Sequence, residues 1–185
     1  MFDEKKLIEG CIKQNRKAQK MLYDLYASKF LGVCIRYAHN KPEAEDILQE
    51  SFIKIFNRIE QYNFIGSFEG WMRRVIVNTA ITNYRKNLKH YYSNSLDAIN
   101  EYEDSNGNDI TEFTLEEMLH VIQSLSPGYR LIFNLFAIEG YSHKEIAEMM
   151  NIDIATSKSQ YSRARKIIQH RLAKLSLIKK TVSVQ

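Results

Sequence analysis

Lys158, Ser159, Ser162, Arg163 and Lys166 share one side of a helix if the stretch after Asp153 is helical. These side chains suit DNA. Arginine presents a planar fork to guanine edges, serine and lysine add single donors, and cations offset phosphate charge. On the opposite side Ser157, Tyr161, Ala164, Ile168, Leu172 and Leu175 recur at steps of four and three, the spacing of one buried stripe. From Ala155 onward there is no acidic residue, while Lys158, Arg163, Arg165, Lys166, Arg171, Lys174, Lys179 and Lys180 are basic. The helix before it is equally legible. Ser142 and Glu145 have capping-box spacing, Ile146, Ala147 and Met150 follow at helical steps, and Asn151 suits a left-handed helix end. Asp153 can cap the second helix. A capped helix, a tight turn and a basic second helix predict a helix-turn-helix whose second helix enters the major groove. The alternative is a hairpin with a solvated basic face; charge, caps and face together favour DNA.

A second group of residues suits unpaired bases. Tyr62, Phe64, Phe68 and Trp71 crowd around the loop Gln61–Ser67, which ends at a capping serine, and Asn63 adds a hydrogen-bonding group. The helix after it sets Arg74, Asn78, Ile81 and Arg85 at steps of four, three and four. Aromatics beside a basic stripe are what single-stranded nucleic acid needs, since bases stack and phosphates require cations. Phe68 and Trp71 read as core packing. Tyr62 and Phe64 remain open between stacking surface and core.

A third face lies on the helix after Pro42. Ala44, Leu48, Phe52, Ile55 and Ile59 form its core stripe, whereas Asp46, Gln49, Glu50 and Ile53 cluster on the other side. That cluster is either a solvated face with a stray isoleucine or a docking surface with Ile53 as its anchor. Spacing alone does not separate the two.

Nothing in the chain has the pattern of a catalytic or cofactor site. Glu117 and His120 have the spacing of a di-iron half-site, but the pattern occurs once and lacks partner carboxylates. There is no glycine-rich phosphate loop and no paired-cysteine motif. No enzyme, metal or cofactor is implied.

The elements that position these residues read as helices throughout. Leu7, Ile8 and Cys11 mark a short one. Ala18, Met21, Leu22, Leu25, Tyr26, Val33 and Tyr37 mark a longer one, loosened near Gly32. Thr114 to Glu117 is another capping box, with Leu115, Met118, Leu119, Ile122 and Leu125 as its stripe; Ser126-Pro127 starts a helix that ends at Gly140. Seven Gly and two Pro in 185 residues argue against a turn-rich β architecture. Residues 1–96 carry 16 Lys and Arg against 10 Asp and Glu; residues 97–114 carry 6 acidic residues and no basic one; residues 115–185 carry 10 basic against 6 acidic. Two basic modules joined by an acidic connector suit a polyanion held at two places. The predicted organisation is all-α: a helical domain over 1–90, a flexible acidic linker over 91–114, whose character begins near Asn87, and a helix-turn-helix domain over 115–185. Cys11 and Cys34 sit in apolar segments and read as buried thiols. No signal peptide and no membrane-length apolar run is visible, which predicts a cytosolic protein without membrane insertion of its own.

The motifs in their order resemble a family. D-I-L-Q-E-S-F-I-K-I-F from Asp46 to Phe56 and F-E-G-W-M-R-R-V-I-V-N-T-A from Phe68 to Ala80 resemble region 2 of bacterial sigma factors of the extracytoplasmic-function (ECF) type. L-S-P-G-Y-R from Leu125 to Arg130, E-G-Y-S-H-K-E-I-A from Glu139 to Ala147 and S-R-A-R from Ser162 to Arg165 resemble region 4. The resemblance implies a transcription initiation subunit. Asp46, Gln49, Glu50 and Ile53 would dock on the β′ clamp helices of core RNA polymerase, and the second domain would meet the β flap. Tyr62, Asn63, Phe64 and Asn78, with Arg74 and Arg85 tracking the backbone, would hold the melted −10 element. Thr156, Lys158, Ser159, Ser162, Arg163 and Lys166 would read the −35 element as duplex. Promoter DNA and an anti-sigma factor are the other implied partners. Ser157 stands where the family commonly has Val, and Ala155 where it has Gly. Phe64 and Ile65 stand where some relatives have Gly and an acidic residue. The competing readings are a helix-turn-helix regulator that binds duplex DNA without polymerase, and an interaction bundle with incidental charge.

Overall fold

The computed structural model describes residues 3–94 and 113–182, apart from the side chains of 89–94 and 180–182. Two compact units divide the chain, Met1–Lys86 and Asn87–Gln185. Regular structure among the described residues is helical, with no strand: α1 (Glu4–Ile12), α2 (Arg16–Tyr37), α3 (Lys41–Arg58), α4 (Phe68–Asn94), α5 (Leu115–Gln123), α6 (Pro127–Phe133), α7 (His143–Met150) and α8 (Ile154–Val182). The all-α expectation holds.

In the first unit, each of the first three helices starts on a side-chain cap. Asp3 accepts from the Lys6 amide, Asn15 from Lys17 and Ala18, and Asn40 from Glu43, with Pro42 tolerated in the first turn of α3. The turn from α1 to α2 passes through Gln14 at φ 54°. The two helices then run close together: a Cβ on Gly10 would come within 2.8 Å of Ala18 Cβ. The core gathers Leu7, Ile8 and Cys11 of α1, Leu22, Phe30, Val33 and Cys34 of α2, Ile47, Leu48, Phe52 and Ile55 of α3, and Phe68, Met72, Ile76 and Val77 of α4. The stripe predicted for α3 is buried throughout.

That predicted for α2 is partly wrong. Met21 and Leu25 are 53% and 49% exposed, and Phe30 and Cys34 take the core side. Nor does α2 loosen at Gly32, which sits exposed in an unbroken helix with open space beside it.

In the second unit, α5 begins on the Thr114/Glu117 capping box, both halves of which form. Val121 and Leu125 pack against Ala164 and Ile168 of α8, with Tyr129, Phe133, Ile167, Leu172 and Leu175 around them. Leu115 departs from expectation: it is the first residue of α5 and 78% exposed. The helix begun at Pro127 does not run regularly to Gly140. After Phe133 it widens into a π-helical turn over Asn134–Ile138, an inserted residue that reorients the side chains following it. It stops at Gly140, whose φ of 78° is open to glycine. α7 then forms the Ser142/Glu145 capping box and ends at Asn151 in the left-handed region, with the Ile152 amide donating to Ala147 O at 3.0 Å.

The helix before the connector runs past the point where the linker's composition begins. α4 continues to Asn94, so residues 87–94 are helical, and Thr114 caps α5. Residues 95–112 of the expected linker lie outside the described residues. Among the described residues no helix is long and apolar enough to cross a membrane.

Candidate nucleic-acid interface

Three surfaces carry the candidate residues, the first of them on α3. Burial of Ala44, Leu48, Phe52 and Ile55 turns the opposite face outward, where Asp46 and Gln49 are exposed and Ile53 is 60% exposed. An exposed β-branched aliphatic ringed by polar groups has the form of a small docking anchor. Glu50 is set apart from its neighbours. Its carboxylate is 2.7 Å from Lys54 Nζ and 3.5 Å from Lys86 of α4. The Lys54 hydrogen bond, followed by both lysine charges, holds its carboxyl below the usual range despite an opposing contribution from burial. Glu50 therefore borders the face but is bound within the unit. Lys54 also donates to Thr79 Oγ1 at 3.3 Å, and Asn83 Nδ2 donates to Glu43 Oε1 at 2.7 Å. These ties fix α3 against α4. Sequence reasoning missed them, because partners 25 to 40 residues apart leave no periodic signal.

The second surface is the loop before α4. Here Tyr62 and Phe64, which the sequence leaves open, take different places. Tyr62 is only 6% exposed, with its ring 5.1 Å from Phe64, 5.0 Å from Phe68 and 5.9 Å from Trp71. Its hydroxyl donates to Gly66 O at 2.8 Å. Tyr62 is thus the pedestal of the loop, with no open face for a base. Phe64 is the presented aromatic, 50% exposed at φ 59°, followed by Ile65 at 78%. A bulky residue at positive φ is strained by roughly 1–3 kcal/mol and persists where its surroundings enforce it. The enforcement here is local. Asn63 Oδ1 accepts from the Ile65 amide at 3.2 Å, Gly66 takes φ 76°, and Ser67 Oγ caps α4 through the Gly70 amide at 3.0 Å. Along α4, Arg74, Asn78 and Arg85 are exposed. Ile81, placed on the same stripe from its spacing, is 4% exposed and belongs to the core. Trp71 is half-buried and stacked on Phe68 at 5.8 Å.

The third surface is α8. Lys158, Ser159, Ser162, Arg163 and Lys166 are exposed, and Thr156 is half-buried at their edge with its carbonyl accepting from Ser159 Oγ at 3.0 Å. Ser157, Ala164 and Ile168 are buried on the far side. The helix therefore presents a polar and basic face along its first four turns. His143, at the first position of α7, has its Nδ1 3.0 Å from Ser157 Oγ and its ring stacked on Phe136 at 4.2 Å. The sequence held a signal for this contact: a serine inside an apolar stripe requires a buried partner.

Burial, and after it the Lys158 charge, lowers the His143 pKa from the ordinary 6.5. The unfolded chain then binds the proton at higher pH than the folded one. Stability contributed by neutral His143 is complete above about pH 6.5 and is lost as pH falls through the folded value. NMR titration of the imidazole protons in the full chain should give a His143 midpoint below 6.5; a midpoint at or above it would contradict the enclosed ring.

Glu117 of the Glu117/His120 spacing accepts from Lys179 Nζ at 2.7 Å and closes the α5 capping box. These contacts account for its place without a metal.

A family model described as Sigma-70 region 2 matches residues 22–90, and one described as Sigma-70, region 4 matches residues 115–168. The chain is similar to the ECF RNA polymerase sigma factor SigW of Bacillus subtilis, 29% identical over 182 residues, covering 92% of this chain and 97% of that one. It is similarly related to the ECF RNA polymerase sigma-E factor of Haemophilus influenzae, 29% identical over 181 residues, covering 91% and 95%. Among solved structures, the sigma factor RpoE of Bartonella quintana, in complex with the anti-sigma factor NepR, shares the fold with TM-score 0.52 at 20% identity, covering 83% of this chain and 96% of that one. The region 2 match followed by the region 4 match, together spanning most of the chain, places both halves in one family: the chain belongs to the sigma-70 family of bacterial RNA polymerase sigma factors, in the extracytoplasmic-function type.

Proposed function

We propose that the first unit docks on core RNA polymerase and holds melted −10 DNA, while the second reads the −35 element as duplex. Residues 1–90 and 115–185 are the two working modules, with 91–114 as the connector between them. Docking on the β′ clamp helices uses Asp46, Gln49 and Ile53, with Glu50 at the margin. Phe64 stacks on an unpaired base, Asn63 and Asn78 offer donors and acceptors to its edge, and Arg74 and Arg85 follow the backbone. Tyr62 holds the loop from below. On α8, Thr156, Lys158, Ser159, Ser162 and Arg163 meet base edges and Lys166 meets phosphate. The second unit also contacts the β flap. An anti-sigma factor, of the kind the structural neighbour is solved in complex with, is a further partner of this chain, which acts in the cytoplasm.

The observation that carries this reading is the presentation of Phe64, half exposed on strained backbone in the loop that leads into α4, which itself exposes Asn78. A regulator confined to duplex DNA has no use for such a loop. The test is co-purification with core polymerase followed by run-off transcription; a chain that binds duplex DNA but neither joins polymerase nor supports transcription would be a duplex regulator instead.

Within the second unit, Arg163→Ala is expected to relax base preference in the −35 element. One bidentate arginine contact discriminates by about 1–3 kcal/mol. Lys166→Ala should weaken binding on all sequences alike and reduce the salt slope by about one unit. Duplex binding across −35 variants and salt concentrations checks both; a uniform loss for Arg163→Ala would reassign that side chain to phosphate.

A further inference from the structure

Ser157 lies wholly buried in the stripe that packs α8 onto its unit. Its hydroxyl meets His143 Nδ1 at 3.0 Å across the junction between α7 and α8. The imidazole is not free to turn. Phe136 lies flat against it at 4.2 Å and 13°, and Tyr161 approaches edge-on at 5.7 Å and 61°. Tyr161 itself packs on Phe136 at 4.5 Å. Phe136 comes from the π-helical turn Asn134–Ile138, so that turn, the start of α7 and the first turns of α8 converge on one polar contact.

The position of the contact matters more than its strength. Ser157 lies between Thr156 and Lys158, at the end of α8 that a recognition helix pushes into the groove. Apolar packing tolerates small rotations of a helix about its axis. A hydrogen bond weakens steeply with angle and does not. Successive residues of a helix are separated by about 100°, so a modest roll at Ser157 changes which side chains face the bases.

We propose that His143 is a positioning residue for duplex reading, fixing the rotation of α8 through Ser157 and so deciding which bases Lys158, Ser159 and Ser162 reach. This rests on the reading of α8 as the −35 helix. It assigns specificity to a residue outside the DNA-facing surface and gives the polar Ser157, in a stripe otherwise built for packing, a purpose.

The test is binding of the full-length chain to a duplex library randomised over a −35-sized window, with the ranking of sequences as the readout. His143→Phe keeps a ring between Phe136 and Tyr161 but removes the nitrogen. Ser157→Ala removes the hydroxyl. His143→Asn returns a polar atom near the Nδ1 position. Each of the first two is expected to reduce discrimination between the best site and its single-base variants by about fivefold, the worth of one hydrogen bond, and at the same base positions. The double variant should be no worse than either single one, since both break the same bond. His143→Asn should restore most of the wild-type ranking. Circular dichroism establishes folding, and Ser157→Ala carries the test if His143→Phe does not fold. A uniform loss of affinity with unchanged ranking in both single variants would overturn the proposal, as would additive losses in the double variant. A wild-type chain that binds the library with no ranking at all would overturn the −35 reading, and this proposal with it.

Discussion

Ile53→Glu is expected to lower affinity for core RNA polymerase by about thirtyfold or more, leaving the helical content of the chain unchanged. Ile53 is 60% exposed on α3, directly opposite a buried stripe that includes Leu48, Phe52 and Ile55. Replacing it therefore removes nothing from the core. A central interface anchor typically contributes about 2 kcal/mol or more, and a carboxylate in its place adds a desolvation cost. Asp46→Arg should act in the same direction through reversed charge. Glu50→Gln is the informative contrast. Its carboxylate is engaged by Lys54 and Lys86, so its loss should loosen α3 against α4 more than it weakens docking. Titration of core polymerase with labelled chain, alongside circular dichroism, separates these effects. Unchanged affinity for Ile53→Glu with normal helicity would remove the docking role from this face.

The second large effect is expected at the loop. Phe64→Ala and Asn78→Ala should leave polymerase docking and duplex −35 binding intact but impair initiation on closed promoters. Extruding a base costs a few kcal/mol, and a stacking partner returns about 1–3 kcal/mol per base. The defect should shrink on templates already mismatched across the −10 region, where the opening cost has been removed. Tyr62→Ala should behave differently. Tyr62 supports the loop through Phe64, Phe68, Trp71 and the Gly66 carbonyl. Removing it should impair single-strand binding on matched and pre-melted templates alike. Phe64→Gly is a further control: it relieves the positive φ of 59°, so stability should hold or rise while initiation falls. Normal initiation on closed promoters by both Phe64→Ala and Asn78→Ala would remove the base-holding role from this loop and α4.

Much of this was legible from local patterns. The capping boxes at Thr114/Glu117 and Ser142/Glu145 and the left-handed Asn151 are written within four residues each, and all of them form. The α3 and α8 stripes are regular enough to read by period alone. What was not legible depended on the partners of an element. α2 carries apolar residues around much of its circumference, so Met21 and Leu25 read as core although the neighbouring helices cover the side of Phe30 and Cys34. Ile81 has the spacing of the Arg74/Asn78/Arg85 stripe, but its side is closed by packing. Aromatic loop residues announce neither burial nor exposure, and only the fold separates Tyr62 as support from Phe64 as the presented ring. The π-helical turn at Asn134–Ile138, which brings Phe136 onto His143, has no period to read.

The most direct test of a factor that docks, opens and reads is run-off transcription by core RNA polymerase on a promoter library, with and without the chain. Added chain should select a narrow set of templates that share paired upstream and downstream elements at a fixed spacing, and Phe64→Ala should lose those templates unless they are pre-melted. Transcription indifferent to the chain, or stimulated equally on all templates, would contradict its role as the promoter-selecting subunit.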